Sequence, residues 1–209
     1  MRAIVVVVAA LLASACTGQA VVPSVAVEIP AGQKPVAGNY AATIQTGGWA
    51  LRTKSRGTSC GVWTFDTDVN SSYEGAIRDG LMRSLEKVTF TPEILSPEQL
   101  KESGYDAQVV VHQGNASSTF MLSPKFFSAS ARGEVVLSVI LAIRDGSGVT
   151  YQNTVTGKGS GSKEVFACPA IGQAVGAGAQ DAVRTIVREI VLSVRDGLRD
   201  RRVAAKPQS

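Results

Sequence analysis

Apolar positions recur along this chain with two periods, and each predicts a different kind of element. Tyr73, Ile77, Leu81, Leu85 and Val88 recur at steps of three or four residues, the spacing of one helix face. They predict a helix over residues 71–87, with Asn70, Ser71 or Ser72 available to cap its first N–H groups. Glu74 and Arg78 form an i,i+4 pair beside that face. Gly80, placed on the far side, costs about 1 kcal/mol of helix propensity that packing must offset. A second helix is predicted over residues 178–199, with a start as early as Pro169. Its Val183, Ile186, Val187, Ile190, Val191, Val194 and Leu198 fall within an arc of about 140° at 100° per residue. Ahead of it, Gly176-Ala177-Gly178-Ala179 is either a flexible entry or a stretch small enough to touch another backbone.

Alternation and β-branched runs mark the strands. Tyr40–Ile44 and Trp49–Arg52 flank Gly47-Gly48, and Gly61–Phe65 precedes the first helix. Val88–Leu95 carries Pro92, which argues against a central position. Ala107–His112 and Ser118–Leu122 read as two further strands. The strongest hairpin joins Glu134–Ile143 to Val149–Val155 through Arg144-Asp145-Gly146-Ser147-Gly148. Gly157-Lys158-Gly159-Ser160-Gly161-Ser162-Lys163 reads as a flexible loop, because it lacks the spacing of a phosphate cradle. The expected architecture is α+β: an antiparallel sheet with two main helices packed on one face.

The ends differ from this middle. Met1-Arg2 is followed by an apolar run from Ala3 to Ala13 and then Ser14-Ala15-Cys16. A positive start, a short apolar run and small residues describe a secretory signal peptide over residues 1–15. The run is shorter than the roughly 20 residues that cross a bilayer. Leu12-Ala13-Ser14-Ala15-Cys16 resembles a bacterial lipobox, in which the cysteine becomes the acylated N-terminus. The lipobox leucine stands three positions before the cysteine, whereas here Ala13 holds that place and Leu12 lies one further back. Cleavage after Ala13-Ser14-Ala15, releasing a soluble protein, is the alternative; both place the chain outside the cytoplasm. Thr17 rather than Asp after the cysteine favours outer-membrane sorting, by resemblance to enterobacterial lipoproteins. Pro23, Pro30 and Pro35 make residues 16–38 an expected tether, in which Val25–Ile29 could form a short edge strand. Residues 39–199 then form one α+β domain, and residues 200–209 a charged tail.

Cysteine counting bears on the same question. Cys16, Cys60 and Cys168 are three, so an exported chain leaves one unpaired. With lipid on Cys16, Cys60 and Cys168 can form a disulfide, closing a loop worth on the order of 4–5 kcal/mol. Two buried free thiols are the alternative. No metal site is expected, since no C-x-x-C pair exists and His112, the single histidine, has no ligand-spaced neighbour.

Catalytic constellations are not found. His112 could serve a hydrolase as base, but no G-x-S-x-G surrounds any serine, so a strand-end histidine is the plainer reading. Asp66, Asp68 and Asn70 alternate as calcium ligands would, without an EF-hand glycine or terminal Glu, and read instead as a strand-end turn and cap. A net charge of +4, of which the leader's Arg2 supplies one, gives no footprint for nucleic acid. Arg184, Arg188, Arg195 and Arg199 share a sector of the second helix about 60° wide at 100° per residue. They are the candidate contact surface, with a solvated face as the alternative.

A strand, the helix Tyr73-Glu-Gly-Ala-Ile-Arg-Asp-Gly-Leu81, a strand-Asp-Gly-strand hairpin and a closing helix resemble small Gram-negative envelope lipoproteins of YajG type. The lipopolysaccharide-assembly lipoprotein LptE is more distantly similar in layout. The resemblance covers residues 60–198 and is one of pattern, including Thr154–Gly161 ahead of the last helix. It implies a non-enzymatic domain that binds another envelope component, with no cofactor and no catalytic residue. The expectation is therefore a lipid-anchored outer-membrane lipoprotein facing the periplasm. It would act as an interaction or assembly module for an envelope protein or glycan, held to the membrane through its lipid. The alternative is a soluble or anchored periplasmic domain that binds peptidoglycan or another anionic polymer.

Overall fold

The computed structural model describes residues 16–28, 34–55, 60–61 and 63–204. The expected signal peptide, residues 1–15, lies outside them, as do residues 29–33 of the expected tether, Val62 of the expected strand Gly61–Phe65, and residues 205–209 of the expected tail. Eight strands among the described residues make one sheet: β1 (Thr17–Ala20), β2 (Val36–Gln45), β3 (Ala50–Ser55), β4 (Thr64–Asp68), β5 (Leu85–Phe90), β6 (Ala107–Pro124), β7 (Ala129–Asp145) and β8 (Gly148–Val165). Three helices accompany it: α1 (Asn70–Ser84), the short α2 (Pro97–Glu102) and α3 (Ile171–Ala204).

β6 organises the sheet. Along one edge it pairs antiparallel with β7 for almost its whole length, and β7 pairs antiparallel with β8. Along the other edge β2 and β3 lie end to end, both parallel to β6. β5 adds parallel to β2, β4 antiparallel to β3, and β1 parallel to β4. The sheet is therefore mixed, which corrects the expectation of an antiparallel one. The physical reason lies in the connections: β2 and β3 follow one another along β6 through Gly47-Gly48, and α2 returns the chain from β5 to a β6 that runs in the same direction, whereas α1 joins β4 to a β5 of opposite direction. Gly47-Gly48 does not close a hairpin; it links two strands that continue along β6. Ala107–His112 and Ser118–Leu122 are likewise one strand, with an irregularity between Gln113 and Ala116 where it passes that junction.

One sheet face carries the core. Val109 and Val111 of β6, Leu137, Val139, Leu141 and Ile143 of β7, and Val155 of β8 are buried there with the apolar arc of α3. Both main helices belong to this core, and α1 also packs on α3. Gly80 is not on the far side of α1: it is buried, and a Cβ there would come 2.9 Å from Val191 Cγ2 of α3. Its cost in propensity is offset by this close approach of the helices.

The Gly157–Lys163 segment is strand, not a flexible loop. Gly157, Gly159 and Gly161 point to the helix side and leave α3 room to lie on the strand, while Thr156, Lys158, Ser160 and Ser162 face outward and are exposed. A Cβ at Gly133 of β7 would likewise stand 2.7 Å from Val175 Cα. From the helix side Gly178 comes up against the Gly133 carbonyl, so the Gly176–Ala179 stretch makes a close backbone contact and is itself helical.

The expected tether is partly built into the fold. Thr17–Ala20 pairs with Thr64–Thr67, and Val27 is buried in the main core. Residues 25–28 form no strand. α3 continues to Ala204, beyond the expected start of the tail at residue 200, and follows a 3₁₀ turn over Cys168–Ala170.

Candidate functional site

The N-terminal end of the described chain is fixed by backbone pairing. Cys16 is exposed, its carbonyl accepts from Thr64 N–H at 3.0 Å, and the next residue already belongs to β1. Cys60 and Cys168 are joined by a disulfide, with Cα atoms 5.7 Å apart across 108 residues of sequence, and Cys16 stands outside it. The bridge ties the turn that opens α3 to the segment leading into β4. Trp63, Phe65 and Phe120 lie near it, with Trp63 stacked on Phe65 at 6.1 Å and Phe65 meeting Phe120 edge-on at 5.6 Å.

The four arginines of α3 do not reach the surface together. Arg184 and Arg188 are exposed and lean on acids of their own helix, Asp181 at 3.8 Å and Glu189 at 3.1 Å. Arg199 is exposed as well. Arg195 is buried at 1% exposure, where its Nη2 donates to the Lys34 carbonyl at 3.0 Å and Nη1 has no partner among the described residues. Burial, and then the neighbouring Arg199, lowers the Arg195 pKa from its ordinary value. This corrects the picture of one four-residue stripe. A 60° sector of a helix guarantees a shared side but not shared exposure, and the segment at Lys34 covers part of that side.

An open groove of about 750 Å³ runs beside β1, lined among others by Gln19, Val21, Trp49, Arg52, Asp66 and Asn70. Trp49 forms its floor: it is buried, donates from Nε1 to the Gly114 carbonyl at 3.0 Å, and stands 4.8 Å from the Tyr73 ring. It thus spans the junction of β2 and β3 and binds the irregular turn of β6 opposite. Arg52 Nε donates to Asp66 Oδ1 at 2.8 Å on the groove wall. That hydrogen bond is the main cause that raises the Arg52 pKa and lowers that of Asp66. The pair presents a neutralised, polar surface rather than a free charge.

The residues weighed for calcium turn to different partners. Asp66 holds Arg52, Asp68 Oδ1 accepts from Asn70 N–H at 2.9 Å, and Asn70 Oδ1 accepts from Trp49 N–H and Gln113 Nε2. None of Asn70, Ser71 or Ser72 caps α1: its N-cap is Val69 without a side-chain bond, and Ser72 Oγ donates instead to the Val22 carbonyl at 3.3 Å. His112 is exposed in the middle of β6, with Nδ1 3.0 Å from Gln45 Oε1. Among the described residues no helix is long and apolar enough to cross a membrane.

Sequence reasoning missed the groove because it treated residues 17–20 as tether. A four-residue strand of Thr, Gly, Gln and Ala carries no period of its own. Trp49 beside Gly47-Gly48 was the one legible signal.

No protein-family model matches the sequence, and no curated protein does either. Solved structures do show similar layouts. A Xanthomonas campestris protein of the DUF330 family model is 12% identical, with a TM-score of 0.47, covering 88% of this chain and 99% of that one. A candidate neuraminyllactose-binding hemagglutinin homolog from Helicobacter pylori is 8% identical, with a TM-score of 0.45, covering 86% of this chain and 97% of that one. A candidate lipoprotein from Caulobacter crescentus is 11% identical, with a TM-score of 0.36, covering 75% of this chain and 93% of that one. Likenesses of this degree carry no function to the present chain.

Proposed function

We propose that this chain is a lipid-anchored outer-membrane lipoprotein facing the periplasm, a non-enzymatic interaction or assembly module of the cell envelope. The observation that carries the reading is Cys16. It follows a signal-like leader, it is exposed, and it is the cysteine left over once Cys60 and Cys168 pair. A disulfide fits an oxidising compartment outside the cytoplasm. Since β1 begins at Thr17, acyl chains on Cys16 would hold the folded domain close to the bilayer rather than at the end of a long leash. The module reading is supported by what the polar residues do: Asp66, Asp68, Asn70 and Arg52 bind one another or the local backbone.

The test is metabolic labelling with palmitate, together with membrane fractionation, of the wild type and Cys16→Ser. The expected result is label on the wild type, none on the variant, and persistence of uncleaved precursor. Normal processing of the variant would overturn the anchor. A second reading, a domain that binds peptidoglycan, is favoured by the open groove beside Trp49 and Arg52. Pull-down on purified peptidoglycan, with proteomics of co-purified proteins, separates the two.

A further inference from the structure

The turn between β6 and β7 carries two aromatic rings in solvent. Phe126 is 92% exposed and Phe127 85%, their ring centroids 4.5 Å apart and edge-on. Phe166, the residue after β8, is 82% exposed. Val165 pairs with Ala129 at the foot of the same turn, so all three rings stand at one end of the sheet. The turn is tied down. Lys125 N–H donates to the Ser128 carbonyl at 2.8 Å, Ser128 Oγ donates to Glu164, and Lys125 Nζ lies 3.5 Å from the same carboxylate. These bonds hold the turn in the conformation that projects the rings. Exposed aromatic groups of this kind mark contact with an apolar partner.

The strand register says which partner. Thr17 pairs with Thr64, Thr64 with Lys54, and Lys54 with Thr119, so Thr17 shares one row of the sheet with Thr119. β1 runs opposite to β6, and Cys16 therefore lies level with Phe120, at the same end as the turn. Pro124 stands four residues further on, about 13 Å at ~3.3 Å per residue, and three strand spacings separate β1 from β6, about 14 Å. A sheet inclined by about 45° to the bilayer brings Cys16 and the turn to one plane.

We propose that Phe126, Phe127 and Phe166 form a membrane-docking tip that enters the interfacial layer of the bilayer holding the Cys16 anchor. The tip fixes the orientation of the domain, leaving the β1 groove and the helices to face the periplasm. This inference takes its orientation from the Cys16 anchor proposed above. A lipid surface suits three rings on a projecting tip, which buries them without needing a complementary pocket.

The experiment uses the mature chain with Cys16→Ser, so that acylation plays no part, and vesicles of phosphatidylethanolamine with phosphatidylglycerol. The expected result is measurable co-sedimentation that falls at least tenfold in Phe126→Ser/Phe127→Ser/Phe166→Ser, with an unchanged melting curve. Phe127→Trp in the same background should add an emission component that shifts blue with vesicles and is quenched by brominated lipid. Equal partition of the parent and the triple Ser variant, with no blue shift in the Phe127→Trp protein, would overturn the tip. So would loss of a dimer in the triple Ser variant with no change in vesicle binding, which would give the tip to a second copy of the chain. Lipid analysis of wild-type Cys16 is scored separately: an unacylated Cys16 with a working tip overturns the anchor alone.

Discussion

Gly159 of β8 lies against Ala182 of α3 so closely that a Cβ on the glycine would overlap the Ala182 backbone nitrogen. Gly157 and Gly161 repeat the relation one step to either side, against Ala182 and Ile186, and against Ala174 and Gly178. A strand normally meets a helix through two layers of side chains. Here one layer is missing, and α3 rests on the backbone of the strand. Burial of the long apolar arc of α3 depends on that approach.

Gly159→Ala should therefore destabilise the protein by about 1–3 kcal/mol or more, the range of overpacked cores. Neither contacting group is the far end of a flexible side chain, so the helix itself must move. Gly75→Ala in α1 is the control: nothing lies within 4 Å of a Cβ there, and helix propensity predicts a gain of about 0.5–1 kcal/mol. Urea unfolding of the two variants checks both signs. A neutral Gly159→Ala would mean that α3 does not sit on β8 as described.

Cys60 and Cys168 close most of the domain into one loop. Replacing both by Ala should cost about 2–5 kcal/mol, and a reducing agent should lower the Tm of the wild type while leaving the double variant unmoved. Mass spectrometry of the protein isolated without reductant should find the two cysteine peptides linked. Free alkylation of both thiols would remove the assignment of Cys16 as the odd cysteine.

Legibility from sequence followed period. Tyr73, Ile77 and Leu81, and the Val183–Leu198 arc, repeat at helical spacing, and both helices are present; the first ends at Ser84, so that Leu85 and Val88, read as its last apolar positions, belong to β5, and the second runs beyond its expected bounds, from Ile171 to Ala204. The long hairpin was legible because Val135, Leu137, Val139, Leu141 and Ile143 place a large apolar residue at every second position ahead of Asp145. What failed had no apolar period to read. Gly157, Gly159 and Gly161 do alternate, but composition pointed to a loop, whereas the strand needs those glycines because a helix lies on them. Parallel pairing of β2, β5 and β6 is a relation between distant segments, and no local pattern encodes it. Of the site, Cys16 and the Cys60–Cys168 pair were legible by counting. The burial of Arg195 was not, since helical spacing cannot show that Lys34 crosses over it.

Arg195 gives a test of what that burial means. Its Nη1 is buried without a partner among the described residues and its Nη2 donates to a backbone carbonyl, so the desolvation of the charge is poorly offset. Arg195→Met keeps most of the packed volume and removes the charge. It should leave stability unchanged or raise it, whereas Arg195→Ala should lower it by about 1–3 kcal/mol through lost packing. Thermal unfolding of the two variants decides. If Arg195→Met is as damaging as Arg195→Ala, the guanidinium is needed for a contact that its burial does not reveal.

Glu164 links pH to the aromatic tip. Its pKa is lowered, first by the hydrogen bond from Ser128 and then by Lys125, so the folded state favours the carboxylate. The sign follows from that direction. The interaction is fully present above the ordinary glutamate value of about 4.3 and is lost as pH falls through the lower value of the folded protein. Glu164 is exposed, so the global stability should change little. The effect is local: Ser128 and Lys125 lose their common partner, and the turn that holds Phe126 and Phe127 is released. Glu164→Gln should reproduce this at neutral pH. Backbone amide exchange at residues 125–128 should then rise severalfold in the variant at pH 7, while exchange in α3 stays constant. In the wild type at acid pH, exchange corrected for its intrinsic pH dependence should show the same local rise. Unaltered protection of these amides in Glu164→Gln would show that the turn is held by its own backbone bond, Lys125 N–H to the Ser128 carbonyl, and that the carboxylate is incidental.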